Sequence, residues 1–420
     1  MANLYKQYMT LLKRWPVDEL KPQDLGQHIR DRVKIAFAKG ENSKIDDRQR
    51  CQEYYESLNR ITLNHYKNKY PCPFKKTPVK QNLQNDTKKP HTPVMLAETV
   101  KFLEVKPGDT VIDMTFGAGG HSKKILETVP NIKIFALDRD SVAHQYAKQL
   151  AECYPGQVIP LLGRFSELPK LLKSHRVREN SIDGILFDFG CSSMQFDTPE
   201  RGFMLSKNGP LDMRMDGSRC PNEPTAADVL ARADERDLYH IIKYYGEDKR
   251  ARKIARALIE ARYSFRSLKT TQELAKLIES LFPSDVAFDK LGRFQHPSTK
   301  TFQALRIFVN NELNEINHGI VIAEKLLKIN GRMITIAFHA LEDYIVKGHL
   351  SGNITDSVSS TLPFKYKNYG KVFETMEEVT KLTESPWLML HKHVLVPKDE
   401  EVEMNPRSRS AKFRAIAKIK

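Results

Sequence analysis

The chain has 420 residues and a formal net charge of +15, enough sequence for two or three domains that each bury a core. A strongly basic surface favours polyanions as partners, because binding releases counterions from phosphates. The five cysteines are widely spaced without a Cys-x-x-Cys pair, so we expect neither a disulfide framework nor a bound metal. No apolar run approaches the roughly 18 residues of a membrane span, and none is expected.

The first 70 residues are polar, with apolar positions at helical spacing between Leu4 and Leu12 and again between Cys51 and Ile61. This spacing predicts a helical N-terminal module over residues 1–70. Residues 71–90 are rich in proline, lysine, asparagine and glutamine, a composition typical of a linker.

Beyond residue 90, short apolar runs alternate with helical patterns. The predicted strands are Thr110 to Asp113, Lys133 to Asp138, Val158 to Leu162, Ile182 to Phe187 and Arg332 to Phe338. Strands separated by helices indicate a Rossmann-like α/β fold with a parallel sheet. Only helical signals appear between 197 and 297, and one helix is predicted from Phe302 to Leu327. We therefore expect one α/β domain over 91–196 and 298–420, interrupted by a helical insertion at 197–297.

The densest chemical signal is the run TFGAGGHS at residues 115–122, which leads from the first strand into a helix. Glycine is required there, beginning with Gly117, where a ligand approaches the backbone closely. Asp138 ends the next strand, 21 positions after Gly117, where a carboxylate can accept both ribose hydroxyls of an adenosine. A dinucleotide fingerprint has a third glycine where this chain has Ser122, and the nearby Asp113 suits a cationic cofactor. The pattern favours S-adenosylmethionine (SAM) over a dinucleotide.

Two further residues follow predicted strands. Phe165 comes after the third strand, where its ring either covers an adenine or belongs to the core, and the sequence leaves both readings open. Asp188 ends the fourth strand. Because ligands of open α/β sheets bind beyond the carboxyl ends of the strands, Asp188 is expected beside both the cofactor and the group that accepts the methyl.

Seven motifs occur in order between residues 91 and about 416. They are HTPVM at 91–95, TFGAGGHS at 115–122, LDRD at 137–140, DTPERGF at 197–203, GPLDMRMD at 209–216, TFQALR at 301–306 and NPRSRS at 405–410. In these motifs the chain resembles the RsmH (MraW) family of 16S ribosomal RNA cytosine-N4 methyltransferases, and especially its mitochondrial branch, methyltransferase-like protein 15. The resemblance implies a class I SAM-dependent methyltransferase fold. The cofactor contacts it implies are Gly119, Gly120, His121, Asp138, Phe165, Asp188 and Gln195.

The same resemblance implies SAM-dependent N4-methylation of a cytidine in mitochondrial small-subunit (12S-type) ribosomal RNA, which supports assembly of the mitoribosome. We assign Asp188 the role of accepting a hydrogen bond from the amine, with the alternative that it only orients the cofactor. Cys191 stands where C5-cytosine methyltransferases place their thiolate nucleophile. No proline precedes it and bacterial relatives have an aliphatic residue there, so we interpret Cys191 as a packing residue.

The helical insertion is expected to bind the RNA, since residues 249–269 contain eight basic residues and one acid. Arg252 and Arg256 are its candidates for phosphate contacts, although such a run also suits a solvated helix face. Residues 405–420, with six basic residues and no acid, allow the same two readings. The base must leave the RNA stack to reach the pocket. The candidates for gripping it are Asp212, Arg214, Asp216 and His339.

One family motif is altered here. The run SFHSLEDR of the family reads AFHALEDY at residues 337–344, so two hydroxyls and an arginine are missing. This departure motivates an alternative in which the chain is a SAM-binding ribosome assembly factor without turnover. The intact glycine loop, Asp138 and Asp188 argue for the enzyme.

The N-terminal segment carries a second resemblance. WPVDE at 15–19, DLG at 24–26, GEN at 40–42, YESL at 55–58 and KYP at 69–71 are similar to the start of an assembly factor for the mitochondrial cytochrome bc1 complex, with a match that ends near residue 75. A gene fusion and the joining of two neighbouring genes in the gene model both explain this arrangement. Both resemblances imply the mitochondrion, and we expect the matrix, with mitoribosome assembly proteins as further partners.

Overall fold

The computed structural model describes residues 2–14, 33–34, 37–38, 49, 51–52, 55–56, 93–264, 268–282, 287–288, 294–351 and 385–420. The chain divides into two compact units, Met1–Thr87 and Lys88–Lys420. The predicted linker at 71–90 lies outside the described residues. No helix in the described ranges has both the length and the apolar character needed to cross a membrane.

The N-terminal unit contains helix α1 (Ala2–Arg14), which forms at the first predicted helical run. Tyr8 and Leu11 of α1 are buried against Val33 and Phe37. The Tyr8 hydroxyl also donates a hydrogen bond of 2.8 Å to the carbonyl oxygen of Cys51. A small aromatic core therefore joins α1 to the second predicted run.

The second unit is built on a seven-stranded sheet, beside which lies a two-stranded hairpin. The strands are β1 (Thr110–Asp113), β2 (Lys133–Asp138), β3 (Val158–Leu162), β4 (Ile182–Asp188), β5 (Ala287–Phe288), β6 (Phe294–Gln295), β7 (Leu327–Ala337), β8 (Trp387–Met389) and β9 (Lys412–Lys418). The sheet order is β3-β2-β1-β4-β7-β9-β8. The first five strands in this order are parallel, and β9 is antiparallel to both of its neighbours.

Helices connect and cover these strands. They are α2 (Leu96–Leu103), α3 (Gly120–Thr128), α4 (Ser141–Cys153), α5 (Leu168–Lys173), α6 (Ser193–Asp197), α7 (Ala226–Arg232), α8 (Glu235–His240), α9 (Ala251–Tyr263), α10 (Thr271–Leu281), α11 (Thr299–Val309), α12 (Glu312–Leu326), α13 (Ala340–Leu350) and α14 (Asp399–Met404). Short 3-10 turns lie at Phe165–Glu167, Pro199–Arg201, Gly217–Arg219 and Ser408–Ser410, and a π-helical turn lies at Ile241–Tyr245. The α/β class predicted from the sequence is confirmed.

The sheet separates two layers of core. Ile112 faces one layer and its neighbour Val111 the other, as the two-residue period of a strand requires. The layer on the Ile112 side continues into helices α7 to α10, where Leu230 and Ile254 are buried. The helical insertion thus shares its core with the sheet, and its boundaries at 197 and 297 stay a prediction.

Three details differ from the predicted elements. The helix predicted from Phe302 to Leu327 is two helices, because Asn311 between α11 and α12 adopts a left-handed backbone with φ of 51°. The region 197–297 is not purely helical, since it contains β5 and β6. The sheet is not purely parallel, since the basic C-terminal stretch forms the antiparallel strand β9.

A buried ionic cluster fastens the insertion to the loops of the sheet. The Asp216 carboxylate, 1% exposed, accepts hydrogen bonds from Arg139 after β2, Arg164 after β3 and Arg219 beside it. Burial alone would raise the pKa of Asp216, but the guanidinium groups, with Arg139 first, lower it to about 2. Asp216 is therefore a structural anchor at neutral pH.

Replacing Asp216 by asparagine leaves three guanidinium groups without their shared anion. We expect Asp216→Asn to lower the free energy of unfolding by about 3 kcal/mol or more, the usual cost of breaking a buried ion pair. Chemical denaturation of the full chain measures this loss. Arg232→Gln is the control, because its pair with Asp228 is exposed and should contribute at most about 1 kcal/mol. Equal effects of the two substitutions would contradict the anchoring role.

Candidate active site at the carboxyl edge of the sheet

A cavity of about 650 Å³ opens at the carboxyl ends of β1, β2 and β4, a volume within the usual range of small-molecule sites. Of the residues predicted to contact the cofactor, Gly119 is absent from the cavity wall. The others line it, namely Gly117, Gly120, His121, Asp138, Phe165, Asp188 and Gln195. Seven of the eight residues predicted from the resemblance and from the strand ends therefore line the same cavity.

Each glycine of the loop between β1 and α3 disfavours a side chain, either because its φ angle is positive or because a Cβ atom would collide with a neighbour. Gly117 and Gly119 have positive φ angles of 55° and 77°. A Cβ atom on Gly119 would lie 2.5 Å from the Phe116 ring, and one on Gly120 would lie 2.3 Å from Pro93. Gly119 therefore serves the loop by packing against Phe116, while Gly117 and Gly120 leave backbone at the cavity wall.

Two carboxylates, of which Asp113 is buried and Asp138 half-buried, hold this loop. Asp113 accepts a hydrogen bond of 2.6 Å from the Ser122 hydroxyl and one of 3.1 Å from the amide of Thr115. Asp138 accepts bonds of 2.8 Å from the amides of Gly117 and Asp140, one on each oxygen. Burial raises the pKa of both carboxyls to about 6, and hydrogen bonds only partly offset it. Each oxygen of Asp138 keeps a second lone pair for a ribose hydroxyl.

Gln195 reaches the cavity wall through a chain of polar contacts. Its side-chain NH2 donates a hydrogen bond of 2.8 Å to Asp140, and its side-chain oxygen accepts one of 3.1 Å from the amide of Ser192. Asp140 also caps helix α4 and pairs with Arg201 at 2.7 Å. Gln195 therefore positions the loop after β4 relative to the loop after β2, in addition to bordering the cavity.

Phe165 is held in place by helix α12. Glu315 accepts hydrogen bonds of 3.0 and 2.9 Å from the amide and hydroxyl of Ser166, the next residue. One turn further on, a Cβ on Gly319 would come within 2.9 Å of Phe187 and 3.1 Å of Phe165. The Phe165 ring packs edge-on against Phe187 and also lines the cavity. The ring is therefore packed against the core and also borders the cavity, and its contact with an adenine stays a prediction.

Asp188 ends β4 with an oxygen that is free for a ligand. Its backbone amide donates a hydrogen bond of 2.7 Å to the Thr115 hydroxyl, and its carboxylate lies 4.0 Å from Nδ1 of His121. Within the described part of the chain, Oδ1 of Asp188 has no hydrogen-bond partner. Burial raises the pKa of Asp188 well above its usual value, and the carboxylates of Asp113 and Glu342 add to the rise.

A second polar group on the cavity wall is formed by Arg306 and Glu312. Arg306 on α11 donates to both oxygens of Glu312, at 2.8 and 2.9 Å, and to the sulfur of Cys191 at 3.3 Å. Burial raises the pKa of the Cys191 thiol to about 11. Cys191 is therefore a neutral thiol at physiological pH, which disfavours the thiolate chemistry considered for it.

The predicted substrate residues separate into two groups. His339 lines the cavity, whereas the other five candidates do not. Asp212 and Arg214 form an ion pair of 2.7 Å whose guanidinium also binds backbone carbonyls of the insertion. Asp216 is the buried anchor described above. Arg252 and Arg256 are both exposed on α9. Arg252 packs over the Tyr239 ring, and Arg256 pairs with Glu260.

Some cavity residues were not predicted individually, although several belong to motifs that were recognised. Arg139, Arg306, Arg407 and Arg409 line the cavity, as do Glu312 and Glu315. Arg407 pairs with Asp197 at 2.8 Å and stacks over Phe196, at the rim of the same space. Arg139, Glu315 and Arg407 carry no local signal, because their partners lie 77 to 210 positions away in the sequence.

The sheet order, the glycine loop after β1 and the acid that ends β2 together define a class I SAM-dependent methyltransferase. The residues present fit the cofactor: Asp138 offers oxygens for a ribose, Phe165 a ring for an adenine, and the glycine loop open backbone. The profile of the MraW methylase family matches residues 88–419, so the chain belongs to the MraW methylase family. The profile of the complex III assembly factor UQCC2/CBP6 matches residues 5–86, about ten residues further than the predicted match.

Several relatives align over long stretches. A methyltransferase-like protein 15 homolog of Drosophila melanogaster is 52% identical over 79% of this chain and 93% of its own length. The human 12S rRNA N(4)-cytidine methyltransferase METTL15 is 47% identical over 78% of this chain and 83% of its own length. A Culex quinquefasciatus protein named receptor-type tyrosine-protein phosphatase mosPTP-1 is 48% identical over 100% of this chain, which spans 30% of that protein.

Among solved structures, a methyltransferase from Streptococcus mutans in complex with SAH resembles the chain with 11% identity and a TM-score of 0.32. The alignment covers 77% of this chain and 97% of that chain.

The titration of Asp138 predicts how SAM binding depends on pH. The ionised carboxylate accepts hydrogen bonds, and its pKa of about 6 means that the protonated form dominates below that pH. We therefore expect the SAM dissociation constant to be constant above pH 7 and to rise up to about tenfold per pH unit below 6. Calorimetric titration between pH 5 and 8 measures this.

Asp138→Asn is the matched control for that titration. The variant should bind SAM weakly at every pH, with a flatter pH dependence that reflects the remaining carboxylates, Asp113 and Asp188. Equal affinity of the unchanged protein at pH 5 and pH 8 would contradict the assignment.

Proposed function

We propose that this chain uses SAM to methylate the exocyclic N4 amine of a cytidine in the small-subunit ribosomal RNA of mitochondria. The relatives named as 12S rRNA N(4)-cytidine methyltransferases support this substrate. The observation that carries the proposal is that Asp188 lines the SAM cavity and that its Oδ1 has no hydrogen-bond partner among the described residues. It is a hydrogen-bond acceptor placed where an amine donor must approach.

SAM supplies an electrophilic methyl group, so the residues of the chain mainly position the nucleophile. The lone pair of a cytosine amine is delocalised into the ring, and the site must accept a hydrogen bond from the amine as charge develops. Asp188 serves this role through Oδ1. The raised pKa of Asp188 makes its carboxylate a stronger acceptor once ionised.

The altered motif at 337–344 is compatible with turnover. Phe338 and His339 line the cavity, whereas Ala340 and Tyr344 are exposed on α13 and absent from its wall. Ala337 is buried at the end of β7. The missing hydroxyls and arginine therefore leave the cavity itself complete, which favours the enzyme over a SAM-binding assembly factor without turnover.

The cellular setting follows from both halves of the chain. The methyltransferase relatives and the complex III assembly-factor profile both indicate the mitochondrion. We place the activity in the matrix, where it supports mitoribosome assembly together with assembly proteins. Because the Culex protein matches this chain over its full length, the N-terminal segment and the methyltransferase segment are adjacent in the Culex sequence too.

The role of Asp188 is tested with purified chain, radiolabelled SAM and a small-subunit rRNA transcript. We expect Asp188→Asn to lower kcat by about 100-fold while the SAM dissociation constant changes little, because only the transition-state hydrogen bond is lost. A variant that loses SAM affinity but keeps kcat would support the alternative that Asp188 only orients the cofactor. Full turnover with unchanged affinity would remove Asp188 from the mechanism.

Cys191→Ala is the control in the same assay and should keep its activity. RNA containing 5-fluorocytidine should form no covalent complex with the unchanged protein. A trapped complex that disappears in Cys191→Ala would instead establish C5 chemistry.

A further inference from the structure

Glu342 is a buried carboxylate that points at an imidazole of the cavity wall. Its side chain is 0% exposed, and Oε2 accepts bonds of 2.7 and 3.3 Å from the amides of Phe338 and His339. Its other oxygen lies 2.9 Å from Nε2 of His339. The Arg306 guanidinium lies 3.9 Å from the same oxygen. It comes no closer because two of its nitrogens donate hydrogen bonds to the two oxygens of Glu312.

This arrangement fixes which ring nitrogen of His339 carries the proton. Burial would raise the pKa of Glu342, but His339 and Arg306 lower it below its usual value, so the carboxylate is ionised at neutral pH. Nε2 of His339 and Oε1 of Glu342 have no other hydrogen-bond partner among the described residues and lie 2.9 Å apart. Because an ionised carboxylate accepts hydrogen bonds, this contact favours a neutral imidazole with its proton on Nε2. Nδ1 is then the nitrogen with the free lone pair.

Nδ1 of His339 is left available by its surroundings. It is a buried atom without a hydrogen-bond partner among the described residues, and His339 lines the SAM cavity together with Asp188. Buried polar atoms in native proteins are nearly always paired, so an unpaired acceptor at a cavity wall calls for a ligand donor. The charged groups around the ring include Glu342 and Glu312, which lie in one cluster with His339, and Arg306, which lies 3.9 Å from Glu342.

We propose that His339, held in this tautomer by Glu342, accepts the proton that the cytidine N4 loses during methylation. The inference rests on the proposed function. The N4 nitrogen forms a bond to the methyl carbon while the carbon–sulfur bond of the cofactor breaks, with its electron pair retained by sulfur. The positive charge on N4 is relieved when one proton moves to Nδ1, and the imidazolium then releases a proton to water.

The two N–H bonds of the amine are thereby divided between two acceptors. Asp188 accepts a hydrogen bond from one of them, and Nδ1 removes the proton of the other. In this arrangement His339 is a catalytic residue, and Glu342 is a positioning residue that acts through it. The same pattern of carboxylate, imidazole and reacting proton operates in other enzymes that use histidine as a base.

The kinetic test uses the full chain with SAM and the small-subunit rRNA transcript. We expect His339→Gln to lower kcat by about 100-fold, the usual contribution of a general base, with unchanged dissociation constants for SAM and RNA. His144→Gln is the matched control, since His144 also has an unpaired Nδ1 but lies outside the cavity.

The tautomer is tested without turnover, by ¹⁵N NMR of histidine-labelled protein at neutral pH. The resonances that disappear in His339→Gln identify this ring among the 13 histidines. We expect Nε2 of His339 to be protonated and Nδ1 to be unprotonated. In Glu342→Gln the fraction of rings with the proton on Nε2 should fall. A proton on Nδ1 would overturn the proposal, as would full kcat in His339→Gln. If the unchanged protein makes no N4-methylcytidine, the proposed function itself fails, which is a different result.

Discussion

The structure depends on three carboxylates, Asp113, Asp138 and Asp188, at the carboxyl ends of the parallel strands. Asp113 is buried, and the other two are half-buried. Burial raises the pKa of each, and the folded chain offsets that cost with hydrogen bonds to Asp113 and Asp138 from the glycine loop and its flanks. The shape of the loop is therefore a consequence of the charges beneath it. A cofactor that carries ribose hydroxyls and positive charge complements the same edge, because both satisfy buried anions.

A second set of charges connects the insertion to this edge. Asp216 collects arginines from the loops after β2 and β3, so the insertion is fixed to the segments that border the cofactor cavity. The basic residues predicted to bind RNA on α9 are exposed and outside the cavity. At the rim itself, Arg407 and Arg409 of the C-terminal segment supply positive charge. RNA phosphates can therefore meet basic side chains both at the rim and on the insertion.

Much of the site could be predicted because it lies at strand ends, where local apolar runs and glycines mark the positions of Asp138 and Asp188. His121 and Gln195 required the family resemblance. Glu315 and Gly319 gave no local signal, since they act on Ser166 and Phe165 from about 150 positions away. Strand β9 was missed because its basic residues suggest a solvated stretch. In the fold two of those charges are buried, with Arg414 bound to Asp343 and Lys418 to Asn180.

The central claim is tested most directly by mass spectrometry of nucleosides from mitochondrial small-subunit rRNA, in cells with and without this protein. The account predicts that N4-methylcytidine disappears without the protein and returns with the unchanged gene, but not with an Asp138→Ala copy. N4-methylcytidine that persists in cells lacking the protein would contradict the account. The function would then rest on another substrate, or on a SAM-bound assembly role without methyl transfer.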